Sequence, residues 1–209
     1  MNTLVITDGD ISEAAELIKS GQLVAVPTET VYGLSADGLC EAAVREIYNV
    51  KGRPEAKPVN LLVPDMKSAE KFCRDIPEQA YVLAEKFWPG PLTMILPKSK
   101  IVPDIVTAGG DTVGVRCPAH PITLALLNKC DMPLATPSAN LSGFPSPKSC
   151  QDVLSYFDGK IPCVIDGGKC SVGIESTIID MTVTPPKILR QGGLSKEAIE
   201  AVLESEVNI

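Results

Sequence analysis

A cluster of polar residues with chemical potential follows the first apolar run of the chain. Leu23–Val26 has the composition of a buried strand, and Pro27–Leu34, Pro-Thr-Glu-Thr-Val-Tyr-Gly-Leu, comes directly after it. Two hydroxyls, a carboxylate and a phenol in this place can orient a small polar substrate. Ligands of open α/β sheets sit at the carboxyl ends of strands, which favours such a role. A turn that caps a helix explains the same residues equally well.

A second segment carries a concentration of positive charge. Lys51, Arg53 and Lys57 fall within seven residues, in the sequence Lys-Gly-Arg-Pro-Glu-Ala-Lys-Pro. Gly52 permits a close approach of the backbone to a ligand, and the two prolines stiffen the loop. Arginine offers a planar fork to phosphate oxygens, and lysine supplies a compact charge. A solvated cluster at a helix end is the alternative, but the rigid setting favours an anion site.

Three further segments place polar side chains next to short strands. Arg116 emerges from a strand and could bind a carboxylate or form a surface ion pair. Ser138 and Asn140 alternate with an alanine, so an extended backbone would point both toward a phosphate or ribose; a turn is the alternative. The last segment pairs Gly173–Thr177 with Leu189–Gly193.

The elements that must position these segments alternate between helix and strand along the chain. One helix is capped by Asp10 or Ser12 and ends at Gly21, and further helices are predicted at 41–49, 68–73, 78–87, 121–128, 148–157 and 196–203. Strands are predicted at 23–26, 59–63, 92–96, 113–116, 134–136, 162–165, 177–181 and 187–190. Such alternation predicts an α/β fold with a mixed sheet. No repeat or linker interrupts it, so we expect one domain over residues 1–209.

The overall composition limits the classes of function. The 209 residues include 26 acidic and 19 basic ones, a net charge of −7, and only 4% are aromatic. An extended nucleic-acid or anionic-membrane surface would need the opposite excess of charge. Seven cysteines, none spaced as a metal or redox pair, and a single histidine, His120, indicate reduced thiols without a transition-metal site. With neither a signal peptide nor a membrane-spanning run, we expect a cytoplasmic protein without membrane contact.

In this order, the polar segments resemble the YrdC-like family of threonylcarbamoyl-AMP synthases. The resemblance extends from about Ile11 to Gly193, and it is carried by Pro-Thr-Glu-Thr-Val-Tyr-Gly-Leu at 27–34, Lys-Gly-Arg-Pro at 51–54, Ser-Ala-Asn at 138–140, Glu-Ser-Thr at 175–177 and Arg190. It implies the YrdC-like fold, an open, twisted mixed α/β sheet with flanking helices and a concave, positively lined cavity. The chain would be the short, single-domain type.

The resemblance also implies an activity. Such a nucleotidyltransferase joins L-threonine, bicarbonate or CO2, and ATP into threonylcarbamoyl-adenylate and releases pyrophosphate. Partner proteins then place the threonylcarbamoyl group on adenosine 37 of certain tRNAs. Positioning and electrostatics can supply most of this catalysis without a nucleophilic side chain. Mg²⁺ is expected with the ATP phosphates rather than in a dedicated protein site.

Functional residues carry over from the resemblance by motif position. The threonine-contacting set comprises Thr30, Arg116, Thr136 and Ser176. The ATP-contacting set comprises Lys51, Arg53, Lys57, Thr112, Ser138, Asn140, Ser146 and Arg190. Lys51 and Arg53 would also stabilise charge on the phosphates during the reaction, which gives them the catalytic role. No residue is assigned to a metal.

This chain departs from longer members of the family in two ways. Leu62 stands where the longer members have a histidine near the threonine, and those members carry a second domain after a linker. The base that takes the proton from the threonine amine is also open: Glu29, Glu175, a group on the substrate and solvent are the alternatives.

Two other functions remain open at this point. One is an RNA-binding module that takes double-stranded RNA, tRNA or rRNA on the same basic concave face. The other is a carbamoyl-transfer domain acting on another acceptor. Three of the five arginines fall inside the motif segments. A small positive cavity for one nucleotide therefore fits the acidic total better than an extended RNA surface does.

Overall fold

Ten strands form one sheet in the computed structural model, which describes residues 2–7 and 9–209. They are β1 Leu4–Ile6, β2 Val24–Val26, β3 Gly33–Asp37, β4 Leu61–Leu62, β5 Leu92–Pro97, β6 Thr112–Arg116, β7 Leu134–Ala135, β8 Cys163–Ile165, β9 Thr177–Asp180 and β10 Lys187–Arg190. The eight described helices are α1 Ser12–Lys19, α2 Glu41–Lys51, α3 Met66–Ala69, α4 Glu78–Phe87, α5 Asp104–Thr107, α6 Pro121–Cys130, α7 Cys150–Phe157 and α8 Lys196–Leu203. None of the helices within these residues has the length and apolar character needed to cross a membrane.

The sheet is mixed, as the alternation of elements predicted. Its strand order is β1-β8-β2-β3-β7-β4-β6-β5-β9-β10. Four neighbouring pairs are parallel, including β4 with β6 and β5 with β9. Five are antiparallel, including β3 with β7 and β5 with β6. The crossovers bring the ends of distant segments to the centre of the sheet.

The sheet is covered on both faces, because alternate residues of its strands enter different cores. In β2, Ala25 packs in a large cluster with α2, α4 and α7, whereas Val24 and Val26 pack in a smaller one. The smaller cluster includes Ala14 and Ile18 of α1 and residues of α6. Successive side chains of a strand point to opposite faces, so this division places helices on either side of the sheet.

Several element boundaries differ from those predicted. β1, β3 and α5 were not predicted, and the helix predicted at 68–73 is the four-residue α3, Met66–Ala69. The start of β3 belongs to the segment Pro27–Leu34, which was interpreted as polar residues following a strand, and Ser35 interrupts the apolar pattern of β3. The Ser35 hydroxyl is fully buried and lies 2.8 Å from that of Thr136, so this polar residue is satisfied within the sheet.

The end of α2 leads directly into the basic segment. Gly52 follows the helix with φ 57°, the left-handed conformation that glycine adopts without strain. Its N–H and that of Arg53 donate to carbonyls of the last helical turn. The segment therefore turns sharply away from the helix, and Lys51 remains on the buried side of α2.

A close backbone contact fixes the other side of the sheet's centre. Gly192, after β10, packs on the backbone that precedes β9: a Cβ there would lie 2.2 Å from the Glu175 carbonyl oxygen and 2.4 Å from the Ser176 carbonyl carbon. The Gly192 N–H also donates to the Thr177 hydroxyl at 2.9 Å. A side chain cannot be accommodated here unless the backbone moves.

We therefore expect Gly192→Ala to lower the free energy of unfolding by about 1–3 kcal/mol, since overpacking forces neighbouring atoms apart. Urea denaturation followed by circular dichroism measures this. Gly110→Ala is the matched control, because its new Cβ would lie 3.2 Å from one carbonyl oxygen in an exposed turn. Equal losses in the two variants would contradict the contact described above.

Candidate active site

A cavity of about 450 Å³ lies over the centre of the sheet, where the polar segments meet. Seven of the twelve predicted site residues line it: Arg53, Lys57, Arg116, Thr136, Ser138, Ser176 and Arg190. Four described cations and one carboxylate, Glu175, face this space. The lining is therefore positive, although the chain as a whole is acidic.

The other five predicted residues do not line the cavity, and most of them support residues that do. Thr30 is fully buried, and its hydroxyl lies 2.9 Å from that of Thr28, a cavity residue. Asn140 uses its amide nitrogen to bind the carbonyls of Leu141 and Phe144. Thr112 is exposed at the start of β6. Lys51 and Ser146 are described below.

Hydroxyl pairs support three of the cavity's polar side chains. The hydroxyl of Thr136 lies 2.8 Å from that of Ser35, and the hydroxyl of Ser176 lies 2.8 Å from that of Thr93. In each of these pairs, and in the pair of Thr28 with Thr30, a hydroxyl that does not line the cavity fixes one that does. Sequence analysis missed Ser35 and Thr93, and the only sign of them was a polar residue inside an otherwise apolar strand.

A buried ion pair anchors Arg116. Its Nη2 donates to Glu29 Oε1 at 2.7 Å, with side-chain exposures of 8% for Arg116 and 7% for Glu29. Its Nε donates to the carbonyl oxygen of Gly90, and Glu29 Oε2 accepts from the Ala119 N–H at 3.0 Å. Both Glu29 oxygens are therefore engaged, which makes Glu29 a partner of Arg116 rather than a free base.

Lys51 points inward and holds the 138–140 segment. Its Nζ donates to the backbone carbonyls of Ser138 and Asn140, and the residue is only 2% exposed. Burial, with the nearby charge of Arg53, lowers the pKa of Lys51 from 10.5 to about 7. In this structure Lys51 positions the Ser138 loop, and its direct contact with phosphates stays a prediction.

Two cavity arginines are held by backbone carbonyls. Arg53 donates to the carbonyls of Lys57 at 3.2 Å and Pro58 at 2.9 Å. Arg190 donates to the Ser176 carbonyl through both Nε, at 3.1 Å, and Nη2, at 2.9 Å. These acceptors orient each guanidinium without neutralising it, so the charge remains available to an anion.

Glu175 is the carboxylate that faces the cavity. The Ser146 hydroxyl donates to its Oε1 at 2.6 Å. This hydrogen bond is the largest cause of a lowered pKa at Glu175, with smaller contributions from Arg190 and Lys148. Glu175 is consequently ionised at neutral pH. Ser146, predicted to contact ATP, here acts on the cavity through Glu175.

Much of the remaining lining is apolar, and several of its residues were not predicted as part of the site. Leu62, which the family resemblance aligns with a histidine of longer members, lies on the cavity wall. Ile95, Ile178 and Leu189 lie there too, together with the amide of Asn60. Asn60, Ile95 and Ile178 were interpreted as ordinary strand residues, because nothing in a short apolar run shows which face opens to a cavity.

Comparison with known proteins agrees with this arrangement. The Sua5/YciO/YrdC family model, described as "Telomere recombination", matches residues 16–192. The chain belongs to the Sua5/YciO/YrdC family. The family resemblance drawn from the motifs is thereby confirmed.

Two curated members of the Sua5/YciO/YrdC family are similar over nearly the whole chain. The threonylcarbamoyl-AMP synthase of Pyrococcus abyssi is 51% identical over 198 residues, covering 95% of this chain and 58% of the relative. That of Bacillus subtilis is 44% identical over 201 residues, covering 96% and 58%. The chain thus spans somewhat more than half the length of these relatives.

A solved structure of the family has the same fold. The crystal structure of P. abyssi Sua5 complexed with L-threonine superposes with a TM-score of 0.95 and 47% identity, covering all of this chain and 63% of that one. The predicted α/β fold with an open mixed sheet and flanking helices is therefore confirmed.

The buried pair leads to a prediction about stability. Glu29→Ala should lower the free energy of unfolding by about 3–5 kcal/mol, since it leaves a buried guanidinium without its partner. The matched control is Glu55→Ala, which breaks the exposed pair of Glu55 with Arg45, also 2.7 Å long. An exposed pair contributes about 1 kcal/mol or less. Comparable losses, measured by urea denaturation, would show that the Glu29 pair is not the anchor described here.

A second prediction concerns the protonation of Lys51. Its ammonium should titrate near pH 7 in the folded protein without ligand, while the unfolded chain keeps the ordinary value of about 10.4. Between these pH values the folded state binds fewer protons, so this group makes stability rise with pH. NMR of ¹³C-labelled lysine, assigned by the signal lost in Lys51→Met, measures the midpoint. A folded-state midpoint above pH 9 would be inconsistent with the burial of this group.

Proposed function

We propose that this protein is a threonylcarbamoyl-AMP synthase, forming L-threonylcarbamoyladenylate and pyrophosphate from L-threonine, bicarbonate or CO2, and ATP. The observation that supports it most is the meeting of two residue sets in one cavity. Arg116, Thr136 and Ser176 suit an amino acid, and Arg53, Lys57 and Arg190 suit a polyphosphate. The names of the P. abyssi and B. subtilis relatives point to the same reaction.

Arg116 is placed to bind the threonine carboxylate. Its Nε and Nη2 are occupied by Gly90 and Glu29, whereas Nη1 makes no hydrogen bond to any described residue. The hydroxyls of Thr136 and Ser176 line the same cavity and can bind the remaining polar groups of the amino acid. Because Arg116 is held by a buried carboxylate, its orientation is set before the substrate arrives.

The reaction has two steps, of which the second takes place at the α-phosphate. The threonine amine attacks CO2 and loses a proton, which forms a carbamate. A carbamate oxygen then attacks the α-phosphorus, the bond to the β-phosphate oxygen breaks, and pyrophosphate leaves. Arg53, Lys57 and Arg190 stabilise the charge that develops on the phosphates, and backbone carbonyls fix the guanidinium groups of Arg53 and Arg190 in place. Of the two candidate carboxylates, only Glu175 faces the cavity.

Mg²⁺ would enter with the ATP phosphates. Glu175 supplies one ionised carboxylate at the cavity, and Mg²⁺ sites commonly combine one or two carboxylates with substrate phosphates and water. When bound, the ion would neutralise phosphate charge during the displacement.

The product would pass to proteins that transfer the threonylcarbamoyl group to tRNA. All seven cysteines are free, which fits the reduced cytoplasmic location expected from the sequence.

RNA binding as the primary role is less favoured, because the site's cations converge on one cavity of the size typical for a small ligand. An extended strand would require charge along a groove.

The assay for this proposal is pyrophosphate release from ATP with bicarbonate and Mg²⁺, with and without L-threonine. Release should depend on threonine, and mass spectrometry should detect threonylcarbamoyladenylate. Release that depends on another acceptor would favour the carbamoyl-transfer alternative. No release above the threonine-free control would overturn the synthase proposal.

Arg116→Lys should raise the KM for threonine about tenfold or more while changing the KM for ATP about threefold or less, because a charged hydrogen bond contributes about 1.5–3 kcal/mol. Steady-state kinetics with each substrate varied in turn gives both values. Arg45→Ala, on the exposed face of α2, is the control. Equal increases in the two KM values would contradict the assignment of Arg116 to threonine.

A further inference from the structure

The side chain of Asn60 is an unused hydrogen-bonding group on the cavity wall. It is partly exposed there, and its amide makes no hydrogen bond to any residue in the described part of the chain. Its backbone is fixed, because the Asn60 carbonyl oxygen accepts from the Thr136 N–H at 2.8 Å. A polar group with a fixed backbone and no partner, directed along a ligand cavity, is available to bind a ligand.

Gly114 makes room for this amide. A Cβ on Gly114 would lie 2.3 Å from Asn60 Oδ1 and 3.2 Å from Ile95 Cδ1. The Asn60 amide therefore extends across β6 toward β5, in a space that any side chain at position 114 would fill. The glycine is not in a left-handed conformation, so this close approach explains its presence without an appeal to backbone strain.

The register places Asn60 beside the other polar groups of the site. β4 and β6 are parallel, with Leu62 opposite Arg116, so Asn60 and Gly114 form the row two residues earlier on the same face. That row is about 7 Å along the strands from Arg116. Asn60 comes two residues after Pro58, whose carbonyl oxygen accepts from Arg53, so this row lies next to the loop of Arg53 and Lys57. The amide thus lies between the cationic loop and the Arg116 end of the cavity.

Apolar side chains share the cavity wall with the Asn60 amide, and Ile95, opposite Gly114, lies close to it. Ile95 and Ile178 are partly exposed on the cavity wall, and Leu189 is 55% exposed. Apolar side chains next to a single planar amide suit a flat ring that carries hydrogen-bonding groups on its edge. They are poorly suited to phosphate or to a carboxylate, which the cations serve.

On the basis of the proposed function, we propose that Asn60 recognises the base of the nucleotide and selects adenine. An amide presents one donor and one acceptor in one plane. Adenine offers the complementary edge, its N6 amino donor beside the N7 acceptor, and asparagine is its usual bidentate partner there. Hypoxanthine and guanine carry a carbonyl oxygen in place of that amino group, so one of the two hydrogen bonds is lost. Asn60 is thus a specificity-determining residue.

The test compares ATP with ITP, which differ in the group at position 6 of the base and in the protonation of N1. Isothermal titration calorimetry with the full chain gives the ratio of the two dissociation constants. The wild-type protein should bind ATP more tightly, and Asn60→Ala should reduce this preference about tenfold, as expected for loss of a bidentate contact. Asn49→Ala, which removes an exposed asparagine of α2, is the matched control and should leave the ratio unchanged.

Gly114→Ala supplies a second perturbation that leaves the chemical identity of Asn60 intact. Its methyl group should displace the Asn60 amide and reduce the preference for ATP as well. In the Asn60→Ala background the same change should have no further effect on the ATP-to-ITP ratio. A merely structural role for either residue would weaken both nucleotides equally, which the ratio detects.

The outcomes separate this inference from the proposed function. An unchanged ratio in Asn60→Ala, or no preference for ATP in the wild-type protein, would overturn the role of Asn60 even if threonine-dependent pyrophosphate release is observed. A ratio that collapses in both single variants would support it even if the protein released no pyrophosphate. Failure to bind either nucleotide would overturn both proposals.

Discussion

The buried pair between Glu29 and Arg116 is the contact on which the site's geometry depends most. It joins the segment after β2 to the end of β6, two parts of the chain 87 residues apart. Glu29 also accepts from Ala119, and its carbonyl oxygen accepts from the Val172 N–H. One acidic residue therefore connects three segments around the cavity. A buried charge pair holds its two groups in one geometry, because loss of a contact would leave a buried charge without compensation, at a cost in free energy.

The type of acceptor that holds each guanidinium group is a second feature of the site. Arg53 and Arg190 are held by main-chain carbonyls rather than by carboxylates. Carbonyl dipoles fix the direction of a donor and leave its full charge in place, whereas a carboxylate would cancel it. Arg116 is the exception, and it faces a substrate that carries a single carboxylate charge in the proposed reaction. The site can thus be strongly positive within a chain whose net charge is −7.

The sequence predicted the site best where its functional residues lie close together along the chain. The cationic loop, with Arg53 and Lys57, and the residues after strands were placed at one site because carboxyl ends of strands meet in open sheets. It could not give the direction of Lys51, since a charge at a helix end may face solvent or the core with the same sequence. It also missed Ser35 and Thr93, whose hydroxyl partners are 101 and 83 residues away. Such pairs are created by topology alone.

The carbonyl contacts of the arginines have a consequence for how sequences of this kind can vary. Main-chain oxygens are present whatever the side chain, so the residues that orient Arg53 are not chosen for this purpose by their identity. Arg190 is held mainly in the same way, by the Ser176 carbonyl, and donates in addition to the Ser176 hydroxyl at 3.2 Å. Substitutions at Lys57 or Pro58 can change the character of the loop without removing the acceptors themselves. The positions of the charged groups then depend on the path of the backbone, and a comparison of side chains alone would not reveal this dependence.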